Sequence, residues 1–182
     1  MPHSCDAFDA TVRSILEQLR PPVLLDIGCG AGKYGQMAFD RAAIRIGVEP
    51  DAAYIDQFSL AEHYERLIMA DAITLIDKPR ERYDLVIMGD VIEHMRKSAA
   101  IDLLNFLIYR SGYIIIVTPE GFIQDDWYGH VGEAHISTWS ARDFEPWPLI
   151  HRRVEHPSAL MHLFVIRGYH PARVELADLE LP

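Results

Sequence analysis

Cysteine is scarce: Cys5 and Cys29 are the only two in 182 residues, too few and too oddly placed for a disulfide framework. Positive charge is short as well. Seventeen Lys and Arg stand against 27 Asp and Glu, giving a formal charge of −10 and a pI near 5.3. Phosphate binding needs a basic surface, so this balance speaks against a nucleic-acid partner. No apolar run reaches the length of a bilayer span, and no apolar h-region with a cleavage site opens the chain. Internal repeats and low-complexity tracts are missing too. These absences predict a soluble, cytoplasmic protein of a reducing compartment, with no membrane partner. The remaining composition, 49% hydrophobic and 24% charged, is that of an ordinary globular chain. Residues 1–182 fit a single domain that can bury about two-thirds of its unfolded surface.

Hydrophobic spacing divides the chain into alternating elements. Val12, Ile15, Leu16 and Leu19 recur at helical intervals and predict a helix from Phe8 to Leu19, stopped by Pro21-Pro22. Short apolar runs predict strands from Val23 to Ile27, Ile44 to Val48, Arg66 to Ala70, Tyr83 to Met88 and Tyr113 to Val117. The fourth is almost wholly apolar, as a strand covered on both faces should be. Helices are expected between them, from Tyr34 to Ala42, Tyr54 to Tyr64 and Met95 to Tyr109, the last with Ile101, Leu104 and Ile108 on one side. That alternation predicts a doubly wound, mostly parallel α/β sheet. The rhythm then breaks: a short helix is expected near Ala141 to Phe144, followed by strands from Leu149 to Glu155 and Ala159 to Arg167. His156-Pro157-Ser158 between them is too short for a parallel crossover and suits an antiparallel hairpin. Seven strands in all are expected, with an acidic surface extension after Pro171.

The most informative stretch is Val23-Leu24-Leu25-Asp26-Ile27-Gly28-Cys29-Gly30-Ala31-Gly32-Lys33-Tyr34-Gly35. A buried strand carries an acid near its end, glycines follow at alternate positions, and a helix can start behind them. Such a turn lets a ligand approach bare backbone, and the helix start offers free N–H groups. Asp26 makes the loop poor for phosphate and suited to an ammonium or hydroxyl. Further acids close the next strands: Glu49 before Pro50, Asp71 before Ala72, and Asp90 one residue past Gly89. Open parallel sheets collect ligands at the carboxyl ends of their strands. An acidic rim there suits a ligand with cationic groups, ribose hydroxyls and an adenine amine.

Two nucleotide motifs compete for this loop. Gly30-x-Gly32-x-x-Gly35 satisfies the dinucleotide fingerprint, with Glu49 at a workable distance, and keeps an NAD-binding oxidoreductase in play. Against it, Asp26 and Gly28 intervene between strand and first glycine, where a carboxylate would face the pyrophosphate. A phosphate-binding Walker loop fails, because Ile27 stands where its first glycine belongs and Tyr34 replaces its Ser/Thr.

Asp26-x-Gly28-x-Gly30-x-Gly32 resembles the first motif of the class I S-adenosylmethionine-dependent methyltransferases. Asp90-Val91-Ile92-Glu93-His94-Met95 is similar to the acid-x-x-Glu-His run after the fourth strand in many of these enzymes. The resemblance spans Val23 to Val117 with good spacing, and the rest more loosely. It implies a Rossmann-like methyltransferase fold with a C-terminal antiparallel hairpin, and S-adenosyl-L-methionine as cofactor. By the same resemblance Asp26, Ile27, Gly28, Cys29 and Gly30 would hold the methionine end, with Asp90 beside it. Glu49 and Pro50 would meet the ribose, and Asp71 with Ala72 the adenine edge.

For the acceptor side, a helix starting at Asp90 would put Asp90, Glu93 and His94 on one face. His94 then serves as a base that takes a proton from the methyl acceptor, or packs under the cofactor while Glu93 caps the helix. The segment Thr118 to Trp139, TPEGFIQDDWYGHVGEAHISTW, lacks periodicity and reads as a lid or binding loop. It combines Phe122, Trp127, Tyr128 and Trp139 with Glu120, Asp125, Asp126 and Glu133, and holds no Lys or Arg. That composition predicts a neutral or cationic small-molecule acceptor. His135 is the second catalytic candidate; His130 and His135 taken singly read as structural. Metal-dependent methyltransferases of small-RNA 3′ ends set a similar acid-x-x-Glu-His run against later histidines. By analogy Asp90, Glu93, His94 and His135 would bind Mg²⁺ or Mn²⁺. The chain departs from that pattern in its Asp at the first ligand position, its acidity and its lack of an RNA-binding extension, so no metal is expected. A cofactor-binding module without catalysis is the rival outside the enzyme class.

Overall fold

In the computed structural model, which describes residues 4–78, 80–126, 129–156 and 159–176, all seven strands form. They are β1 (Val23–Ile27), β2 (Ile44–Val48), β3 (Arg66–Ile68), β4 (Tyr83–Gly89), β5 (Ser111–Pro119), β6 (Leu149–Glu155) and β7 (Met161–Arg167). They join in one sheet of order β3-β2-β1-β4-β5-β7-β6. The first five run parallel, and β7 lies antiparallel between β5 and β6. The hairpin expected at the C-terminal end is therefore present; Pro157 and Ser158 of its turn fall outside the described residues. Strand order reverses between β1 and β4, which opens a crevice beyond their carboxyl ends.

Alternation within the central strands feeds two cores. On one face α1 (Asp9–Leu19) buries Val12, Ile15 and Leu16 against Leu24, Leu85, Ile87 and Ile115. On the other, α4 (Lys97–Ile108) buries Ala100, Leu103, Leu104 and Leu107 against Val86, Met88, Ile114 and Ile116. Of the three residues expected on its buried side, Leu104 and Ile108 are core and Ile101 is half-buried at the edge. Trp139, Phe144 and Trp147 close this second core, and the Phe144 ring stacks on Phe164 of β7 at 4.0 Å.

The crossovers between the first strands are shorter than their apolar pattern predicts. The helix after β1, α2 (Lys33–Met37), ends well before Ala42, because Asp40 turns left-handed (φ 62°). Helix α3 (Ala52–Gln57) starts early, where the Asp51 carboxylate accepts the Ala53 N–H, and breaks at Ser59 (φ 48°) before a 3-10 turn at Leu60–Glu62. β3 stops at Ile68, and Asp71 instead caps a 3-10 run, Ala72–Asp77, that the pattern did not suggest. The helix expected from Ala141 is likewise a 3-10 turn, closed by a capping box between Ser140 and Asp143. Of the surface extension expected after Pro171, residues 177–182 lie outside the described residues; Pro171, Arg173, Val174 and Glu175 are exposed, while Leu176 is buried and its N–H donates to the Tyr113 hydroxyl at 2.9 Å. Among the described residues no helix is long and apolar enough to cross a membrane.

Candidate active site

A cavity of about 300 Å³ opens at the carboxyl ends of β1, β2 and β4. Gly28, Gly30, Glu49, Pro50, Asp71, Ala72, Asp90 and His94 line it, together with Ser4, Tyr54, Met95, Gly132 and Glu133. Gly28 is fixed by sterics as well as conformation: its φ is 65°, and a Cβ there would lie 2.4 Å from Val91 Cγ2. The glycine loop and the end of β2 are tied together. Glu49, 5% exposed, accepts Gly30 N–H on Oε2 and Asp51 N–H on Oε1, each at 3.0 Å. Burial raises its pKa while these two donors oppose the shift.

Three residues of the expected cofactor set turn elsewhere. Ile27 is part of the core, and Cys29 packs against Leu60 and Tyr64, where burial pushes its thiol far up. Asp26 lies one residue before the end of β1, so strand alternation sends its carboxylate away from the cavity. It is fully buried and accepts the Tyr64 hydroxyl at 2.6 Å, while its Oδ1 has no hydrogen-bond partner among the described residues. Burial raises its pKa to about 7 against the lowering effect of Tyr64.

Asp90 follows β4 in a left-handed conformation (φ 53°), strained for a residue with a Cβ. The chain then makes only a 3-10 turn, Ile92–His94, so the helical face expected to join Asp90, Glu93 and His94 does not form. The Asp90 carboxylate accepts Cys5 N–H at 2.7 Å instead, and loss of hydration raises its pKa to about 6. Ser4 beside it donates to Gly89 O at 3.0 Å, bringing the N-terminal segment over the cavity. Glu93, 2% exposed, points inward: Oε2 accepts the Thr118 hydroxyl at 3.1 Å and Oε1 has no partner among the described residues. Burial, with Asp90 nearby, lifts its pKa well above the carboxylate range.

His94 and His135 meet although 41 positions separate them in sequence, their rings edge to face at 4.8 Å. His94 Nδ1 donates to Ala134 O at 3.1 Å, and His135 Nδ1 to Phe122 O at 2.9 Å. A carbonyl only accepts, so each neutral ring carries its proton on Nδ1 and its lone pair on Nε2. Burial lowers the His94 pKa, which favours the neutral ring with its Nε2 lone pair free. Donor atoms of Glu93, His94 and His135 all lie within 4.8 Å of one another, a set that can hold a divalent metal. Its chemistry fits: one carboxylate, two imidazoles, and both Nδ1–H groups anchored on backbone carbonyls, as in many metal-bound histidines. Asp90 stands outside this group, held by Cys5.

In the segment from Thr118 to Trp139 the carboxylates are partly committed. Glu120 pairs with His162 at 2.5 Å, and Glu133 accepts the Tyr54 hydroxyl at 2.9 Å. Phe122, Ile123, Val131 and Ile136 are exposed. Trp139 is core, whereas Trp127 and Tyr128 fall outside the described residues. Of the lining residues that sequence reasoning missed, Tyr54 had a signal, one helical turn after Glu49-Pro50. Ser4 had none, since only the tertiary fold brings it in, whereas Glu133 lies in the segment read as a lid or binding loop.

A fold of this order with such a cavity defines a class, and the comparisons with known proteins agree. A family described as "Methyltransferase domain" matches residues 4–162. The chain belongs to it, within the class I S-adenosylmethionine-dependent methyltransferases, and S-adenosylmethionine is the cofactor of this class. The nicotinamide reading of the glycine loop is thereby set aside. Two similar curated proteins are ubiquinone biosynthesis O-methyltransferases of Rhodopseudomonas palustris. One, from strain TIE-1, is 30% identical over 154 residues, and one, from strain BisB18, is 28% identical over 152. Each alignment covers 79% of this chain, and the chain spans only 58% of either relative's length. Among solved structures, the N-methyltransferase NodS from Bradyrhizobium japonicum superposes with a TM-score of 0.64 at 13% identity, over 90% of this chain and 99% of NodS. A SAM-dependent methyltransferase from Archaeoglobus fulgidus gives 0.65 at 16%, over 86% and 90%. These two show the shared fold.

Proposed function

We propose that this chain transfers the methyl group of S-adenosylmethionine to a hydroxyl of a small molecule, with His94 Nε2 as proton acceptor. The observation that carries the reading is His94 itself: it lines the cofactor cavity with Nδ1 tied to Ala134 O, so the basic nitrogen is Nε2. In this reading Glu49 accepts the ribose hydroxyls, Gly28 and Gly30 admit the methionine end, and Asp71 and Ala72 border the adenine. When bound, the cofactor would supply a sulfonium methyl: the acceptor oxygen forms its bond to the methyl carbon in line as the sulfur–methyl bond breaks, and S-adenosylhomocysteine leaves. Alignment by the walls of the cavity can provide about 7–11 kcal/mol of the acceleration. His94 removes the acceptor proton, and His135, edge-on to it, helps to seat the acceptor.

Oxygen as the target is supported by the naming of the relatives as O-methyltransferases. A neutral, partly apolar acceptor is supported by exposed Phe122, Ile123, Val131 and Ile136, and by the absence of Lys and Arg between Thr118 and Trp139. The single sheet with a core on each face supports treating residues 1–182 as one cofactor-binding domain. Two free cysteines fit a reducing, cytoplasmic setting. The test is transfer of labelled methyl to a panel of phenols, sugars, amines, phosphorylated compounds and short RNAs. Preference for neutral hydroxyl compounds supports the reading; preference for RNA or phosphorylated acceptors overturns the charge argument. No transfer to any acceptor by a protein that binds S-adenosylhomocysteine points to a non-catalytic module.

A second reading is favoured by the Glu93, His94 and His135 donors. In it these residues hold a divalent cation that lowers the pKa of the acceptor hydroxyl, and the two imidazoles act as ligands rather than bases.

A further inference from the structure

One wall of the cavity is a single 3-10 turn, Val131–Glu133, that lies outside the sheet and the α-helices. Gly132 and Glu133 line it from a segment whose outer side is open to solvent, with Val131 77% exposed. On the cofactor side, Tyr54 of α3 donates its hydroxyl to Glu133 Oε1 at 2.9 Å, and its ring lies 5.6 Å from that of His130. On the acceptor side, the next residue, Ala134, provides the carbonyl that fixes His94 Nδ1. Ile136 N–H and Ser137 N–H both reach the Glu93 carbonyl, at 2.9 and 3.1 Å. Gln124 braces the segment, its side chain donating to Glu133 O at 2.6 Å and its carbonyl accepting His135 N–H at 2.8 Å.

We propose that residues 129–136 form a strap that couples occupation of the cofactor cavity to the seating of His94 and His135, with Tyr54 and Glu133 as its latch. The inference rests on the reading of this cavity as the cofactor site. Its physical basis is the short lever between the two sides. Glu133 and Ala134 are joined by one rigid peptide unit, so only the φ and ψ of Ala134 lie between a shift of the Glu133 backbone and the Ala134 carbonyl. A ligand between Glu49 and Glu133 touches the inner face of the strap and favours the seated form. With the strap seated, His94 keeps its proton on Nδ1 and presents Nε2. With the strap lifted, His94 loses the acceptor that fixes its tautomer and orientation. Cofactor therefore binds first and completes the acceptor site, and Tyr54 and Glu133 are positioning residues that act through Ala134 and His94.

The test uses S-adenosylhomocysteine with the wild-type chain and with Tyr54→Phe, Glu133→Gln and Glu133→Ala. Calorimetry measures binding, amide exchange follows residues 133–136, and histidine-selective ¹⁵N spectra report the His94 tautomer. In the wild type, ligand should slow these amides by about tenfold or more, the scale of one hydrogen bond, and sharpen a single Nδ1–H form of His94. Tyr54→Phe, which keeps the packed ring, should still bind the ligand while losing the slowing and the single tautomer. Glu133→Gln retains an acceptor for Tyr54 and should recover what Glu133→Ala loses. Equal slowing in wild type and Tyr54→Phe, or binding with no change in exchange, overturns the strap alone. Failure of the wild type to bind S-adenosylhomocysteine overturns the cofactor reading itself, and the strap with it.

Discussion

Gly30 donates its N–H to Glu49 Oε2 at 3.0 Å, which locks the glycine loop after β1 to the carboxyl end of β2. The bond orders both sides of the cavity before any ligand arrives, and it leaves further lone pairs of the carboxylate available. Preorganisation of this kind reduces the cost of binding.

Glu49→Ala removes this link together with the acceptor we propose for the ribose hydroxyls. Affinity for S-adenosylhomocysteine should fall by roughly 1.5–3 kcal/mol, the usual worth of hydrogen bonds to a charged group. Titration calorimetry measures it, with NAD as the control ligand. Unchanged affinity would show that Glu49 does not face the ribose.

Asp26 makes stability depend on pH. Its folded pKa, about 7, is raised above the ordinary 3.8. Between those values the folded state binds more protons than the unfolded state, so the contribution is fully present at low pH and is lost as pH rises through 7. Asp26→Asn keeps an oxygen for the Tyr64 hydroxyl and removes the titration. The variant should gain thermal stability over the wild type at pH 8 but not at pH 4. For a chain of this size each kcal/mol corresponds to roughly 2–4 °C. Parallel melting curves for the two proteins across this range would remove Asp26 as the source.

His94→Asn and His135→Asn separate catalysis from packing. Loss of a general base should lower turnover about 10²–10⁴-fold for His94, with S-adenosylhomocysteine affinity kept within a few-fold. His135→Asn should act mainly on the KM of the acceptor. If both variants melt early yet keep full specific activity, the histidines are structural and alignment alone carries the reaction.

The Glu93, His94 and His135 donor set gives a separate prediction. As bases, the histidines work in the presence of a chelator, and activity should survive EDTA. In the metal reading, chelation abolishes turnover, Mn²⁺ restores it, and Glu93→Gln abolishes the rescue. The same protein preparation tested both ways decides between the two.

Much of the fold was legible in the sequence because period and punctuation are local. Strand β1 and the hairpin strand β6 have the expected bounds, since four- to seven-residue apolar or alternating runs between Pro, Gly and polar breaks allow little else. Helix lengths were less legible. Nothing local announces that Asp40 and Ser59 will turn left-handed, or that Asp71 will cap a 3-10 run rather than end a strand.

The rim of the cavity was legible for the same reason: Gly28, Gly30, Glu49, Pro50, Asp71, Ala72 and Asp90 sit just past strand ends, and parallel strands bring such ends together. Side-chain direction was not. Whether Asp26 faces the cavity or Tyr64 depends on its place in the alternation of a strand whose last residue is Ile27. The pairing of His94 with His135, the burial of Glu93 and the latch between Tyr54 and Glu133 all join residues at least 41 positions apart, or side chains whose partners lie on other elements. The sequence alone determined the sheet and the loop that opens the cavity, because hydrophobic period and glycine placement act within a few residues. Only the tertiary structure decided which carboxylates are sealed in, which nitrogen of His94 is basic, and what closes the cavity. Those depend on distances between segments that no local pattern encodes.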